Sequence, residues 1–377
     1  MDIANHHQCK RCVMDTSDPE ISFDLEGNCN HCSEFIEKRS LFNYRGAASD
    51  LLFSQEIARI KKEGQGKSYD AIIGLSGGID SSFVAHVCQK AGLRLLAVHL
   101  DNGWNSEEAV QNIRNIARKL KIDYESYVLD WEEFKDLQVA FLKAAVPEAD
   151  TPTDIAILAA LHKVASNYGV KNIISGGNFA TEGILPGAWH YNAKDLRYFN
   201  HIQKTFGTKK LKHFPKFGFL KEMYYKIFKG IKMVYILNHV SYVKDEAISF
   251  LEKELDWKYY GGKHYESLYT GFIQSYYLFT KFGIDYRRAT LSSQICTGET
   301  TRDEALLILE TLPFSDDKVL AEKKYIAKKL GLTLEAMELI FATPAHWYTD
   351  YPNDKKRLGF IYNSYRKIFK KEKLASF

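Results

Sequence analysis

The chain has 377 residues, 45% apolar and 26% charged, a length beyond what one hydrophobic core usually serves, so two domains and a small appendage are expected. Its 51 basic and 47 acidic residues leave a net charge of +4, too near balance to indicate polyanion binding, and the composition excludes wholesale disorder. The opening Met1-Asp2-Ile3-Ala4-Asn5-His6-His7 has neither a basic nor an apolar leader region, and no run of about 18 apolar residues follows, so no membrane span and a cytoplasmic location are expected.

Four of the six cysteines form two pairs, Cys9-x-x-Cys12 and Cys29-x-x-Cys32, with sixteen residues between them. In a reducing compartment that spacing reads as a four-thiolate zinc site, closed to water and therefore structural. Residues 1–38 have little apolar periodicity, so a zinc-ribbon-like module folded around metal is expected there, with His6, His7 and His31 as spare ligands. Cys88 lies in a helical pattern and reads as a small core residue.

Residues 40–68 read as helical, ending at Lys61-Lys62-Glu63-Gly64. From Asp70 the texture alternates: an apolar strand over 71–75, a helix over 81–91, a strand over 93–100 and a helix over 106–120. A strand over 124–129, a helix over 153–168 and a strand over 172–175 follow. This βα alternation makes residues 39–200 an α/β domain with a doubly wound parallel sheet. Residues 201–244 carry ten lysines against one acid, Glu222, interleaved with Phe and Tyr, and 201–258 read as an insertion. From 259 to 377 the signals are mainly helical, including the capping box Thr301-x-x-Glu304.

The segment Gly74-Leu75-Ser76-Gly77-Gly78-Ile79-Asp80-Ser81-Ser82 joins a buried-type strand to a helix. Glycines there let backbone N–H groups turn toward a ligand, and the helix N-terminus adds positive character that suits phosphate. A plain βα turn capped by Asp80 or Ser81 is the competing reading. Upstream, Gly66-Lys67-Ser68 imitates the end of a Walker A motif, but Lys61 stands where its first glycine belongs and the strand follows instead of preceding. Two further strand ends are polar: Val98-His99-Leu100-Asp101-Asn102-Gly103, which reads equally as a turn, and the glycine-rich Ser175-Gly176-Gly177-Asn178 through Glu182.

The string SGGIDSS after a strand resembles the SGGxDS signature of PP-loop ATP pyrophosphatases, of the adenine nucleotide alpha hydrolase-like fold. The cysteine-rich opening, Thr181-Glu182-Gly183-Ile184, Tyr260 through Glu266 and Lys281 through Ala289 resemble the bacterial N-acetyl sugar amidotransferases of the WbpG and PseA type. The resemblance implies that Ser76, Gly77, Gly78, Asp80, Ser81 and Ser82 hold the β and γ phosphates of ATP with Mg2+. It also implies that His99, Asp101, Gly176, Gly177, Asn178 and Glu182 lie around the nucleotide. The implied reaction converts an acetamido into an acetamidino group on an N-acetyl sugar. With no N-terminal cysteine and no Gly-x-Cys-x-Gly elbow, ammonia is expected from a separate glutaminase like that of histidine biosynthesis (HisH-like), with a synthase-like (HisF-like) channel protein as a further partner. Besides Asp80, the residues assigned to catalysis on the sugar side are Lys263, His264, Glu266, Lys281 and Arg287, since cations stabilise the charge that adenylation develops; for Lys281 and Arg287 a solvated helix face is the plainer alternative. A zinc-ribbon tRNA thiolase is the main rival, although Cys88 and Cys296 form no Cys-x-x-Cys pair; a non-enzymatic nucleic-acid-binding module is the third reading, and nucleic acid is not expected as a partner.

Overall fold

The computed structural model describes residues 6–39, 47–260 and 265–369. Five strands, β1 (Ala71–Gly74), β2 (Leu95–Asp101), β3 (Asp123–Val128), β4 (Asn172–Ile174) and β5 (Lys232–Val234), form one parallel sheet ordered β3-β2-β1-β4-β5. Ile72 stands beside Leu96 on one side and Ile173 on the other, so β1 is the central strand of the apolar triplet.

Alternation along these strands sends side chains to two cores. Ile72, Leu96, Val98 and Ile173 face one, while Ala71, Ile73, Leu95, Ala97 and Ile174 face the other. The second core is covered by the helices Ala47–Glu63, Ile79–Lys90, Glu107–Leu120 and Lys244–Leu255. The first is covered by Trp131–Lys143, Thr151–Asn167 and Leu196–Phe206, and it continues into the C-terminal helices. Helices on both faces make the sheet doubly wound, as the βα alternation implies. The described part of the first expected helix begins at Ala47 and stops at Glu63, where Gly64 packs on Asp70 so closely that a β-carbon would lie 2.6 Å from its Cα.

Several elements lie outside the sequence expectation, Leu196–Phe206 and Lys244–Leu255 among them. Trp131–Lys143 is a helix capped by Asp130, whose side chain accepts from Glu133 N, and it buries Phe134, Leu137, Ala140 and Phe141 along one face. The lysine-rich stretch supplies β5, paired Ile173 to Met233 and Ile174 to Val234, so the sheet does not end at residue 200. Beyond it, 268–282 are continuously helical, followed by Arg287–Thr297, Arg302–Leu309, Asp316–Leu330, Leu334–Ala342 and Lys355–Phe369. The expected capping box is present: Thr301 Oγ1 accepts from Glu304 N and the Glu304 carboxylate accepts from Thr301 N at 2.8 Å. Among the described residues no helix is long and apolar enough to cross a membrane.

Candidate active site and metal centre

Strand order reverses between β1 and β4, and in open α/β sheets the crevice at that switch point receives ligands beyond the strands' C-terminal ends. The loops leaving β1 and β4 both enter it, and they touch. A β-carbon on Gly176 would lie 2.9 Å from Ser81 N, so only glycine lets the second loop approach the start of the Ile79–Lys90 helix.

Within the first loop Gly77 adopts φ +84°, and a β-carbon there would meet the Ala109 carbonyl at 2.5 Å. Its own carbonyl accepts from Trp257 Nε1 at 2.9 Å, while Asn112 Nδ2 approaches it at 3.4 Å, which fixes the turn from behind. Ser76 Oγ accepts from Gly78 N at 3.2 Å and lies 3.1 Å from Ser81 Oγ. Gly78 precedes the helix with no side-chain cap of its own, and the first helical amide, that of Ile79, is met by Tyr260. Ser82 Oγ is fully buried with no hydrogen-bond partner among the described residues, and the buried Asn178 Nδ2 on the second loop is in the same position. Orphaned polar atoms on two glycine loops and a cradle at a helix N-terminus suit a bound polyphosphate.

Gly78 is buried, and residues far along the chain close around it. A β-carbon placed on it would lie 3.0 Å from Glu266 Oε1, 3.1 Å from Ser76 Oγ and 3.2 Å from Tyr260 Oη. Tyr260 is hydrogen-bonded to Glu266 and to the Ile79 amide; burial holds its hydroxyl well above the usual phenol range, and the Glu266 and Asp80 carboxylates add to this. Asp80 accepts from Tyr242 Oη, whose pKa burial and the Asp80 charge raise likewise. Glu182 follows the second loop on the Phe179–Glu182 turn of helix, where its charge adds to the burial that raises Tyr235, Tyr242 and Tyr286. Two carboxylates beside a phosphate cradle need a cation to coexist with phosphate, which fits Mg2+.

Several sequence assignments come together here: Ser76, Gly77, Gly78, Asp80, Ser81, Ser82, Gly176 and Glu266. Gly177 N donates to Ser175 Oγ at 3.1 Å, and Asn178 Oδ1 accepts from Thr181 N at 2.9 Å. His99 and Asp101 are occupied otherwise. His99 Nδ1 donates to the Leu75 carbonyl at 3.1 Å and Nε2 accepts from Asn105 at 2.7 Å, and burial lowers its pKa, so the ring is neutral and braces the entry to the loop. Asp101 Oδ1 accepts from Gly103 N at 3.0 Å, which is the turn reading.

The structure places Lys281 and Arg287 at helix ends. Lys281 Nζ donates to the carbonyls of Phe341 and Thr343 at 3.0 and 2.6 Å, capping the Leu334–Ala342 helix. Arg287 pairs with Asp285 at 2.6 Å and donates to the Ile308 carbonyl in the last turn of Arg302–Leu309 and to the Thr311 carbonyl just past it. Cations at helix C-termini satisfy orphan carbonyls and oppose the dipole, so both brace helix ends. Lys263 and His264 lie outside the described residues. Tyr242, Tyr260, Asn112 and Trp257 escape sequence reasoning; the one available signal was the place of Tyr260 in the segment carrying the family resemblance.

In the N-terminal module, the Sγ atoms of Cys9, Cys12, Cys29 and Cys32 lie within 4.8 Å of one another, and all four residues are fully buried. Cys9–Cys32 and Cys12–Cys29 are 3.7 and 3.5 Å apart, too far for disulfides and close to the ~3.8 Å edge of a tetrahedron with Zn–S bonds of ~2.3 Å. Cys9 Sγ also accepts from the amides of Arg11, Cys12 and Cys29, the pattern that stabilises thiolate. These residues fit structural zinc. His6 and His31 bond instead to Asp15 and Asp18, at 3.0 and 2.6 Å. The module is wedged into the body: Phe35 stacks on Phe179 at 4.3 Å, Arg302 donates to the Cys9 and Cys12 carbonyls, and Arg288 bonds Val13 O and Asp15. Phe179 follows Asn178, so the cysteine module buttresses the second loop.

Two family descriptions match the chain. Residues 56–155 match NAD synthase, and residues 266–368 match the C-terminal domain of the LPS biosynthesis protein WbpG-like family. The chain is 27% identical over 139 residues to a probable mitochondrial tRNA-specific 2-thiouridylase 1 of Caenorhabditis elegans, covering 33% of this chain and 36% of that protein. It is 26% identical over 201 residues to the tRNA-specific 2-thiouridylase MnmA of Nitratiruptor sp., covering 48% and 55%. It thus spans only about a third to a half of these curated relatives. Among solved structures, NMN synthetase from Francisella tularensis aligns with 15% identity over 74% of this chain and 92% of that one, with a TM-score of 0.33. The NH3-dependent NAD synthetase from Campylobacter jejuni aligns with 16% identity over 54% and 83%, with a TM-score of 0.29. Sheet order, glycine loops and the first family match define a PP-loop protein, a class of ATP-using ligases and synthetases. The match over its C-terminal helices, joined to the first, supports a WbpG-like PP-loop protein.

Proposed function

We propose that this chain is an ATP-dependent amidotransferase of lipopolysaccharide or related surface-glycan synthesis, acting in the cytoplasm on an N-acetyl sugar that is a nucleotide sugar or a nonulosonic acid precursor. The observation that carries the reading is Glu266. It is the first residue of the WbpG-like match, and its carboxylate packs against Gly78 of the glycine loop. The region that distinguishes this family therefore meets the loop that handles ATP.

In this reading the Ser76, Ser81 and Ser82 hydroxyls hold the β and γ phosphates. Asp80, oriented by Tyr242, and Glu266 would hold Mg2+, which neutralises departing pyrophosphate. The acetamido oxygen attacks the α-phosphorus, the α–β phosphoanhydride bond breaks, and pyrophosphate leaves. Ammonia then adds to the imidate carbon, and the C–O bond breaks to release AMP and leave the amidine. An amide carbon is a poor electrophile, and adenylation turns its oxygen into a leaving group.

The curated relatives are named as tRNA thiouridylases, which keeps thiolation as the second reading. All six cysteines of this chain are buried, and burial pushes the Cys88 thiol up to about 12, a poor setting for sulfur transfer. Purified chain with N-acetyl sugars, sugar nucleotides and ATP is expected to turn over with ammonium salts, and with glutamine only after a separate glutaminase is added. Glutamine hydrolysis by the chain alone, ADP as product, or thiolation of tRNA without amidine formation would overturn the proposal.

A further inference from the structure

The helix formed by Phe219–Met223 and the wider turn Tyr224–Phe228 is amphipathic with its apolar side outward. Leu220 is 81% exposed, Ile227 56% and Phe228 78%, and Tyr224 joins them at 46%. These positions, i, i+4, i+7 and i+8, share one face of a helix. The polar side is turned inward: Glu222 accepts from Lys194 and Tyr362 and is the one acid between residues 201 and 244. Tyr225 is buried, with its ring parallel to Phe217. A helix that buries its carboxylate and exposes four large apolar side chains is built for contact.

Its charge chooses the partner. Lys221 and Lys229 are exposed beside the apolar row, with Lys229 lying over the Tyr224 ring at 5.9 Å. The Lys355–Phe369 helix packs alongside through Phe219–Tyr362 and Lys226–Tyr365, and it exposes Lys356, Arg357, Phe360 and Lys367. The outward faces of the two helices thus carry basic and apolar groups and no carboxylate. A single ten-residue helix face is small beside the roughly 800 Å² that each partner buries in a standard protein interface. Leu and Phe flanked by lysines instead suit insertion at an acyl boundary beneath anionic headgroups.

We propose that residues 219–229, with the exposed face of the Lys355–Phe369 helix, dock the protein reversibly on an anionic membrane surface. The test is co-sedimentation of the full chain with vesicles of three parts phosphatidylcholine to one part phosphatidylglycerol, against phosphatidylcholine alone. Binding is expected to the first and not the second, and to fall at high salt. Lys221→Glu with Lys229→Glu should weaken it at least about tenfold, given about fivefold per neutralised lysine. Leu220→Ser with Phe228→Ser should also weaken it at least about tenfold, while melting temperature and pyrophosphate release stay as in the unaltered chain. Equal binding to both vesicles, binding to neither, or lysine variants that bind like the original chain would overturn the proposal. So would a protein that occupies this face in the presence of vesicles.

Discussion

Replacing Gly78 by valine is expected to abolish pyrophosphate release, with a loss of at least about a hundredfold, while the protein stays folded. The backbone of Gly78 has φ −74° and ψ 166°, ordinary extended geometry that any residue adopts. What a larger side chain meets there is the cradle itself: Ser76 Oγ, Tyr260 Oη and Glu266 Oε1, all side-chain atoms at 3.0 to 3.2 Å. Valine therefore pushes those side chains apart without breaking the turn, and displacing preorganised groups at a developing charge costs about two to three orders of magnitude in comparable sites. Gly77→Val is the wrong test, because φ +84° and the Ala109 carbonyl would disrupt the loop itself. Lys67→Ala is the control and should change turnover by less than about twofold, since Lys67 Nζ reaches the Gly169 carbonyl, ahead of β4 at the end of the sheet opposite the site. Loss of activity in Lys67→Ala with a fully active Gly78→Val would reverse the assignment.

The second large effect concerns metal. The isolated protein is expected to carry about one zinc per chain, and Cys29→Ser to lose it together with much of the fold's stability. The binding free energy of structural zinc is folding free energy, about 10 kcal/mol or more in small zinc modules. Part of that loss would reach the body through Phe35 on Phe179 and the Arg302 and Arg288 bonds, so a fall in melting temperature of at least about 10 °C is expected. Whatever stays folded should keep its intrinsic turnover. Elemental analysis that finds iron or no metal, or a fully stable yet inactive variant, would contradict a structural zinc.

How far the sequence carries the structure differs by element, for physical reasons. β1, β2 and β4 are buried on both faces over most of their length, so each carries a run of apolar residues next to a glycine-containing turn. β5 is a three-residue edge strand, Lys232-Met233-Val234, in which only Val234 is buried, and so short a strand leaves no periodicity to read among the lysines. The helix at Trp131–Lys143 does carry its signal, in Asp130 as cap and Phe134, Leu137 and Phe141 as a stripe. In the site, Gly77, Gly78, Gly176 and the serines are legible because backbone chemistry ties them to one short segment each. Tyr242 and Tyr260 are not, since what recruits them is proximity between residues about 160 to 180 positions apart. Lys281 and Arg287 show the converse: a cation in a suggestive segment serves the nearest helix end once the fold is known.

The central claim is that the acetamido oxygen is adenylated and leaves with AMP. An N-acetyl sugar substrate labelled with 18O in the acetamido group, incubated with ATP and ammonium, tests it most directly by mass spectrometry of the products. The account predicts one 18O in the phosphate of AMP, an amidine free of label, and unlabelled pyrophosphate in equal amount. Label retained on the sugar, or found in pyrophosphate, would contradict it.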